Sequence, residues 1–284
     1  MIPIAEFKNR DVAVFGLART GLAAARALTA GGARVHAWDD NDKTRAAAEA
    51  AGVPTSDINN RDWRSFAALI LSPGVPLTHP EPHRVVTLAD ATGVPIMSDI
   101  ELFARAVNAL PAAQRPKVIG IPGTNGKSTT SALIAHILKD AGKDVRLGGN
   151  IGAAILEQPP LHAGAYYVIE LSSYQLDLTS SLRCDAAVYL NTTPDHLDRH
   201  GTMANYIAAK KRIFLNQGAA DWAIVGVDDD IGGAICTELT RAAAQPVAPI
   251  SAGQALGRGV SALNGKIIDA LAGRSEVVAD LRTA

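Results

Sequence analysis

Residues 118–130 read VIGIPGTNGKSTT, an apolar run that meets a glycine-rich turn closed by Gly126-Lys127-Ser128. These residue types, in this order, suit phosphate. Glycines let consecutive amides point into one concavity, a lysine can reach terminal phosphates, and a hydroxyl at a helix start can bind magnesium. The strict pattern G-x-x-x-x-G-K-[ST] wants its first glycine at position 121, where Ile121 stands, with glycines at 120 and 123 instead. One element is displaced and the rest are kept, so the stretch reads as an ATP-binding loop. A bare strand-to-helix turn is the alternative.

Four further groups could carry chemistry. Gly16-Leu17-Ala18-Arg19-Thr20-Gly21 joins a strand to a helix, and Asp39 closes the next strand, as in a dinucleotide fingerprint. Ala18, however, replaces the middle glycine that lets backbone approach a pyrophosphate. Arg19 and Thr20 stand in the first helical turn, where amides bind diphosphate, although a tight turn without ligand would look the same. The apolar strand Tyr166 to Glu170 ends in a carboxylate. Ligands bind beyond the carboxyl ends of strands in α/β sheets, so Glu170 is either a magnesium ligand beside the P-loop or a surface glutamate. Asn191-Thr192-Thr193-Pro194-Asp195-His196-Leu197-Asp198-Arg199-His200 holds two imidazoles and two carboxylates; a metal loop and an irregular polar loop both fit. Tyr206, Lys210 and Phe214 recur at i, i+4, i+8, which puts Lys210 on an apolar helix face. There it must pair, lose its charge, or snorkel to the rim.

The elements that must position these groups follow from the alternation of β-branched runs with Ala-rich helical segments, the pattern of β-α-β units. Strands are expected at Asp11–Phe15, Arg34–Trp38, Leu69–Ser72, Lys117–Ile121, Tyr166–Glu170, Ala186–Leu190 and Ala223–Val227. Helices are expected from Gly21 to Ala30 and from Ser128 to about Ala141, the second with a buried stripe of Leu133, Ile134, Ile137 and Leu138. Asn264-Gly265 between two apolar runs signals a type I′ hairpin, because both residues tolerate positive φ. The proline-containing piece at 110–116 breaks a helix and marks the boundary between domains at 1–110 and 117–284.

A length of 284 residues suits about two domains. Net charge −1 and 19% charged residues give no basic face for nucleic acid or an anionic membrane. There is no apolar span of about 20 residues and no signal-like start, so a cytoplasmic chain is expected. Cys184 and Cys236 share no C-x-x-C spacing and read as structural thiols.

Taken together, the motifs resemble the ATP-dependent Mur ligases of peptidoglycan precursor synthesis, whose GTNGKST signature stands at Gly123 to Thr129 and makes the off-register glycine ordinary. GLARTG at 16–21, LSPGVPLTHP at 71–80, SDIELF at 98–103, GGNIG at 148–152, ELSSYQL at 170–176 and NTTPDHLDRH at 191–200 are most similar to the branch that adds D-glutamate to UDP-N-acetylmuramoyl-L-alanine. The resemblance implies an α/β chain with a Rossmann-like N-terminal domain and a P-loop-type central domain built on a mostly parallel sheet. It implies an acyl-phosphate route, with ATP held by Gly123, Thr124, Asn125, Gly126, Lys127, Ser128 and Thr129. One magnesium would be served by Ser128 and Glu170, a second by His196 and a carbamylated Lys210. Arg19, Thr20, Asp39, Ser72 and Gly74 would meet the UDP end of the substrate, and Asn150, Ser172 and Gln175 the muramoyl side. A monomer is expected, and weak turnover from this chain alone, since the family's third domain is not visible in it. Rival readings are another ligase of the same group, such as a folylpolyglutamate type, or a nucleotide-binding module without catalysis. A nicotinamide dehydrogenase is disfavoured by Ala18.

Overall fold

A computed structural model describes residues 1–282. Among them the strands form two sheets. The first, in order β2-β1-β3-β4, holds β1 (Asp11–Phe15), β2 (Arg34–Trp38), β3 (Phe66–Leu71) and β4 (Ile96–Met97), all paired in parallel. The second runs β13-β12-β11-β10-β9-β8-β5-β7-β6. Its strands are β5 (Lys117–Ile121), β6 (Asp144–Gly149), β7 (Ala165–Glu170), β8 (Ala186–Tyr189), β9 (Trp222–Gly226), β10 (Val247–Ser251), β11 (Val260–Leu263), β12 (Lys266–Asp269) and β13 (Glu276–Asp280). Only the pairings of β11 with β12 and of β12 with β13 are antiparallel. The β11–β12 turn has Asn264 at φ 51° and Gly265 at φ 74°, the hairpin geometry its sequence asks for. β3 and β7 are apolar almost throughout because helices cover both faces of a parallel sheet.

Nine α-helices are described: α1 (Arg19–Ala30), α2 (Asp42–Ala50), α3 (Arg84–Thr92), α4 (Asp99–Asn108), α5 (Lys127–Asp140), α6 (Ser173–Asp177), α7 (Leu197–His200), α8 (Met203–Lys211) and α9 (Asp230–Ala242). Short polar side chains start several of them: Asn41, Ser98, Thr202 and Asp229 each accept a first-turn amide, and Ser172 forms a capping box with Gln175. No helix among the described residues is long and apolar enough to cross a membrane.

The expected stripe on α5 is corrected. Leu133 and Ile137 are each 55% exposed, while Ser131 and Ala135 are buried and Ile134 and Leu138 pack on the core. The inward face is therefore the set 131, 134, 135 and 138, one residue step of about 100° from 133 and 137. α8 also ends at Lys211, and Phe214 lies in the 3₁₀ turn that follows.

The two sheets share a packed seam. The Glu101 carboxyl accepts from the amides and hydroxyls of Ser180 and Ser181 and from Arg105 Nε. Burial works against that carboxyl, yet these donors hold it below the usual glutamate range. The Ile2 amide donates to the Leu156 carbonyl at 2.8 Å, and the Phe103 and Tyr167 rings lie 5.0 Å apart.

Candidate functional site

Each sheet has a crevice where adjacent strands send their connections in opposite directions, the place where α/β sheets bind ligands. In the first sheet it lies between β1 and β3, in the second between β5 and β8. Loops 122–126 and 190–196 meet at the second crevice. The Thr124 amide donates to the Asn191 carbonyl at 3.1 Å, and Asn191 Oδ1 accepts from the Asn125 amide at 2.9 Å. Asn191 Nδ2 returns a bond to the Asn125 carbonyl at 3.1 Å, so one side chain holds the loop open. Gly126 sits at φ 81°, a conformation open to glycine, and a Cβ on Gly123 would come within 3.0 Å of Leu190 Cβ. No side chain caps α5, whose first-turn residues Ser128 and Thr129 are exposed. An uncapped helix start behind a glycine turn is a ready anion site. Lys127 Nζ folds back onto the Thr124 carbonyl at 2.9 Å.

Beside this loop, at the end of β7, Glu170 is only 1% exposed. Its Oε1 accepts from Asn150 Nδ2 at 2.8 Å, and its buried Oε2 has no hydrogen-bond partner among the described residues. Such an orphaned oxygen is costly unless something else meets it. A cation at that oxygen fits the description.

Lys210 is 1% exposed and donates to the Gly123 carbonyl at 2.7 Å, with its ammonium 4.4 Å from the Tyr206 ring centroid. Burial, and secondarily the Lys127 charge, pull its amine down to about 7. Its apolar-face placement thus takes the form of burial with a carbonyl partner, not snorkelling. His196 also neighbours Tyr206, ring centroids 6.3 Å apart, half-exposed and in the left-handed region at φ 53°. Among the described residues no three His, Cys, Asp or Glu side chains come together as a metal cluster. As an amine hydrogen-bonded to the Gly123 carbonyl, unmodified Lys210 offers no anionic oxygen to a cation.

At the first crevice the candidate residues support one another. Asp39 accepts from the Leu17 and Asn41 amides at 2.8 and 2.9 Å, and Ser72 Oγ donates to the Gly16 carbonyl at 2.7 Å. Arg19 reaches across the seam to the carbonyls of Gly152, Asn150 and Gly149 at 2.6, 2.8 and 3.2 Å. It thereby ties the glycine turn of the first sheet to the loop that carries Asn150. Thr20 stands in the same first turn of α1, and Gly74 is exposed on the turn after β3. Ser172 and Gln175 bond each other at 3.2 Å. Nearby, burial pushes the Asp99 carboxyl up to about 6 against the pull of the Ile100 amide, the Gln175 side chain and the Arg19 charge.

Three contributors stand inside quoted motifs without a role of their own: Asn191, Arg199 and Tyr174. Arg199 donates to the carbonyls of Val75, Gly74 and Pro73 on the other sheet. Tyr174 stacks on His200, lies tilted against His196 and has the Arg199 guanidinium 4.8 Å from its ring centroid. Asn191 had one local signal, a short polar side chain directly after a strand at a crevice.

Comparison with known proteins follows the same lines. The Mur ligase middle domain family model matches residues 121–264. UDP-N-acetylmuramoylalanine--D-glutamate ligase of Phenylobacterium zucineum (strain HLK1) is 60% identical over 284 residues, which is 100% of this chain and 61% of that protein. The protein of the same name from Rhizobium meliloti (strain 1021) is 50% identical over 281 residues, 99% of this chain and 59% of that protein. The chain thus spans about three fifths of the length of these curated relatives. Among solved structures, UDP-N-acetylmuramate:L-alanyl-gamma-D-glutamyl-meso-diaminopimelate ligase from Neisseria meningitides superposes with a TM-score of 0.57 at 16% identity, covering 94% of this chain and 85% of that one. That likeness concerns the fold alone.

Proposed function

Because the chain belongs to the Mur ligase family, we propose that it carries the nucleotide and UDP-substrate sites of an ATP-dependent ligase that joins D-glutamate to UDP-N-acetylmuramoyl-L-alanine. The observation that carries this is the buried, unpartnered Glu170 Oε2 beside an uncapped glycine-loop helix. In this reading the alanyl carboxylate attacks the γ-phosphorus of ATP. The bond to the β-phosphate oxygen breaks, ADP leaves, and the D-glutamate amine displaces phosphate from the resulting acyl phosphate. Such transfer depends on positioning and charge neutralisation more than on covalent help.

Lys127 and the amides of Gly123, Gly126, Ser128 and Thr129 hold and orient the phosphates, on a loop that the Thr124 and Asn125 amides brace through Asn191. Magnesium, when bound by the Ser128 hydroxyl and Glu170, neutralises phosphate charge. Lys210 is suited to carbamylation because an amine titrating at about 7 is largely neutral in mildly alkaline solution; the carbamate would be an anion beside the Tyr206 ring, which His196 also neighbours. Domain 1–110 receives the UDP end through Thr20, Gly74 and the helix-start amides, with Arg19, Asp39 and Ser72 bracing that turn. Domain 117–284 supplies Asn150, Ser172 and Gln175 to the muramoyl side. The protein would act as a cytoplasmic monomer, where its nucleotide substrates are.

Calorimetric titration with Mg²⁺·AMP-PNP tests the phosphate site. Lys127→Ala should weaken binding at least about 30-fold, of the order expected for a lost charge-assisted contact, and Glu170→Gln should remove most of its magnesium dependence. Equal affinity in wild type and Lys127→Ala would contradict the assignment.

A further inference from the structure

We propose that Arg199 is a positioning residue that couples the first-sheet turn at 73–75 to the His196 loop, so that occupancy of one crevice is felt at the other. This rests on the reading of those segments as a substrate rim and a part of the ATP site.

The geometry is specific. The Arg199 guanidinium donates to three successive carbonyls of the far sheet's turn, at 3.3 Å to Pro73, 2.8 Å to Gly74 and 2.7 Å to Val75. A planar fork of five donors can span three acceptors, whereas an ammonium is a point donor. On its other face the guanidinium carbon lies 4.8 Å from the Tyr174 ring centroid. That ring is 4.9 Å from His196 and 5.5 Å from His200, and His200 Nε2 lies 2.9 Å from Ser173 Oγ. The four-residue helix α7 is therefore tied on one side to the turn after β3 and on the other to α6. Directly after it, Gly201 lies so close to His79 that a Cβ there would come within 2.6 Å of the imidazole.

His196 is the N-cap of α7 and holds a left-handed backbone, so its direction depends on how α7 is seated. Arg199 is the α7 side chain that ties it to the turn after β3. A ligand that shifts the 73–75 turn must carry the guanidinium, Tyr174 and the imidazole with it, and a nucleotide that orders the His196 loop must act back on the turn with the same free energy.

The test uses the whole 284-residue chain, ¹⁵N-labelled, with Mg²⁺·AMP-PNP as the probe. In wild type the amides of Gly74 and Val75 should shift in proportion to nucleotide occupancy, although they belong to the other sheet. Arg199→Ala should lose at least three quarters of that shift while the nucleotide dissociation constant stays within twofold. Arg199→Lys, which keeps the cation but not the fork, should lose more than half, and it is read alone if Arg199→Ala does not fold. In the reverse direction, UDP-N-acetylmuramoyl-L-alanine should tighten Mg²⁺·AMP-PNP binding about fivefold in wild type and under 1.5-fold in Arg199→Ala, the lower end of ordinary coupling. An absent wild-type shift, an undiminished shift in the variants, or loss of nucleotide affinity along with the shift would overturn the proposal. A folded wild type that shows the Gly74 response but binds no UDP substrate would instead sink the substrate assignment and leave the coupling standing.

Discussion

Lys210 offers the sharpest energetic test. Its amine titrates at about 7 in the folded chain and at about 10.4 when unfolded. Between those values the unfolded chain holds a proton that the folded chain has released, so stability rises with pH; below 7 the full penalty of roughly 5 kcal/mol applies. From pH 7.5 to 9.5 the folded amine is already mostly neutral and the unfolded one still mostly charged. Integrating the proton difference across that window gives about 2.5 kcal/mol of added stability from this group alone. Lys210→Met keeps the apolar stem and removes the titration. It also removes the bond to the Gly123 carbonyl, but that loss is nearly constant with pH and cancels in the comparison. Urea unfolding of both proteins at pH 7.5 and 9.5, in buffers freed of carbon dioxide, should show wild type gaining about 2.5 kcal/mol more than the variant over this interval. A difference below about 0.5 kcal/mol would mean that the buried lysine keeps an ordinary proton affinity, and the burial argument would fail.

Other sites make independent predictions. Asp99, raised to about 6 by burial, binds its proton more tightly folded than unfolded, so its contribution worsens as pH rises from about 4 past 6. Asp99→Asn should therefore stabilise by about 2 kcal/mol more at pH 8 than at pH 4.5, and a pH-independent difference in unfolding free energy would refute this. Glu101→Ala removes the acceptor of the Ser180 and Ser181 donors at the seam, while Arg105 keeps Glu6, and should cost about 2–3 kcal/mol in urea unfolding; a cost under about 0.5 kcal/mol would show that the seam does not depend on it. Leu133→Ser on the exposed face of α5 should change stability by no more than about 0.5 kcal/mol, whereas a loss of 2 kcal/mol would restore the buried-stripe reading.

What the sequence discloses here is what is local. The glycine loop before α5 and the Asn264-Gly265 hairpin are legible because their backbone conformations are imposed by the residues themselves. β4 is only two residues long, and β6 and β10 interrupt their apolar residues with charge or proline, so period alone does not mark them. The α5 stripe misleads because two neighbouring helix faces both carry large aliphatics, and only Ser131 and Ala135 are small enough to lie deepest against the sheet. Arg199 and Asn191 are hidden for a different reason. Their partners at 73–75 and 124–125 are far away in the chain, and each bonds to main chain, which leaves no complementary residue type to search for. Lys210 falls between these cases: spacing puts it on the apolar face, but its Gly123 acceptor belongs to another loop.

The measurement that tests the account most directly is calorimetric titration of the chain with UDP-N-acetylmuramoyl-L-alanine, beside a UDP control and the Thr20→Ala variant. The account predicts binding that needs the muramoyl-alanine portion and weakens at least about tenfold, or 1.4 kcal/mol, in the variant. No binding by a chain shown to be folded, or binding of UDP alone just as tightly, would contradict it and leave the first-sheet crevice without its assigned substrate.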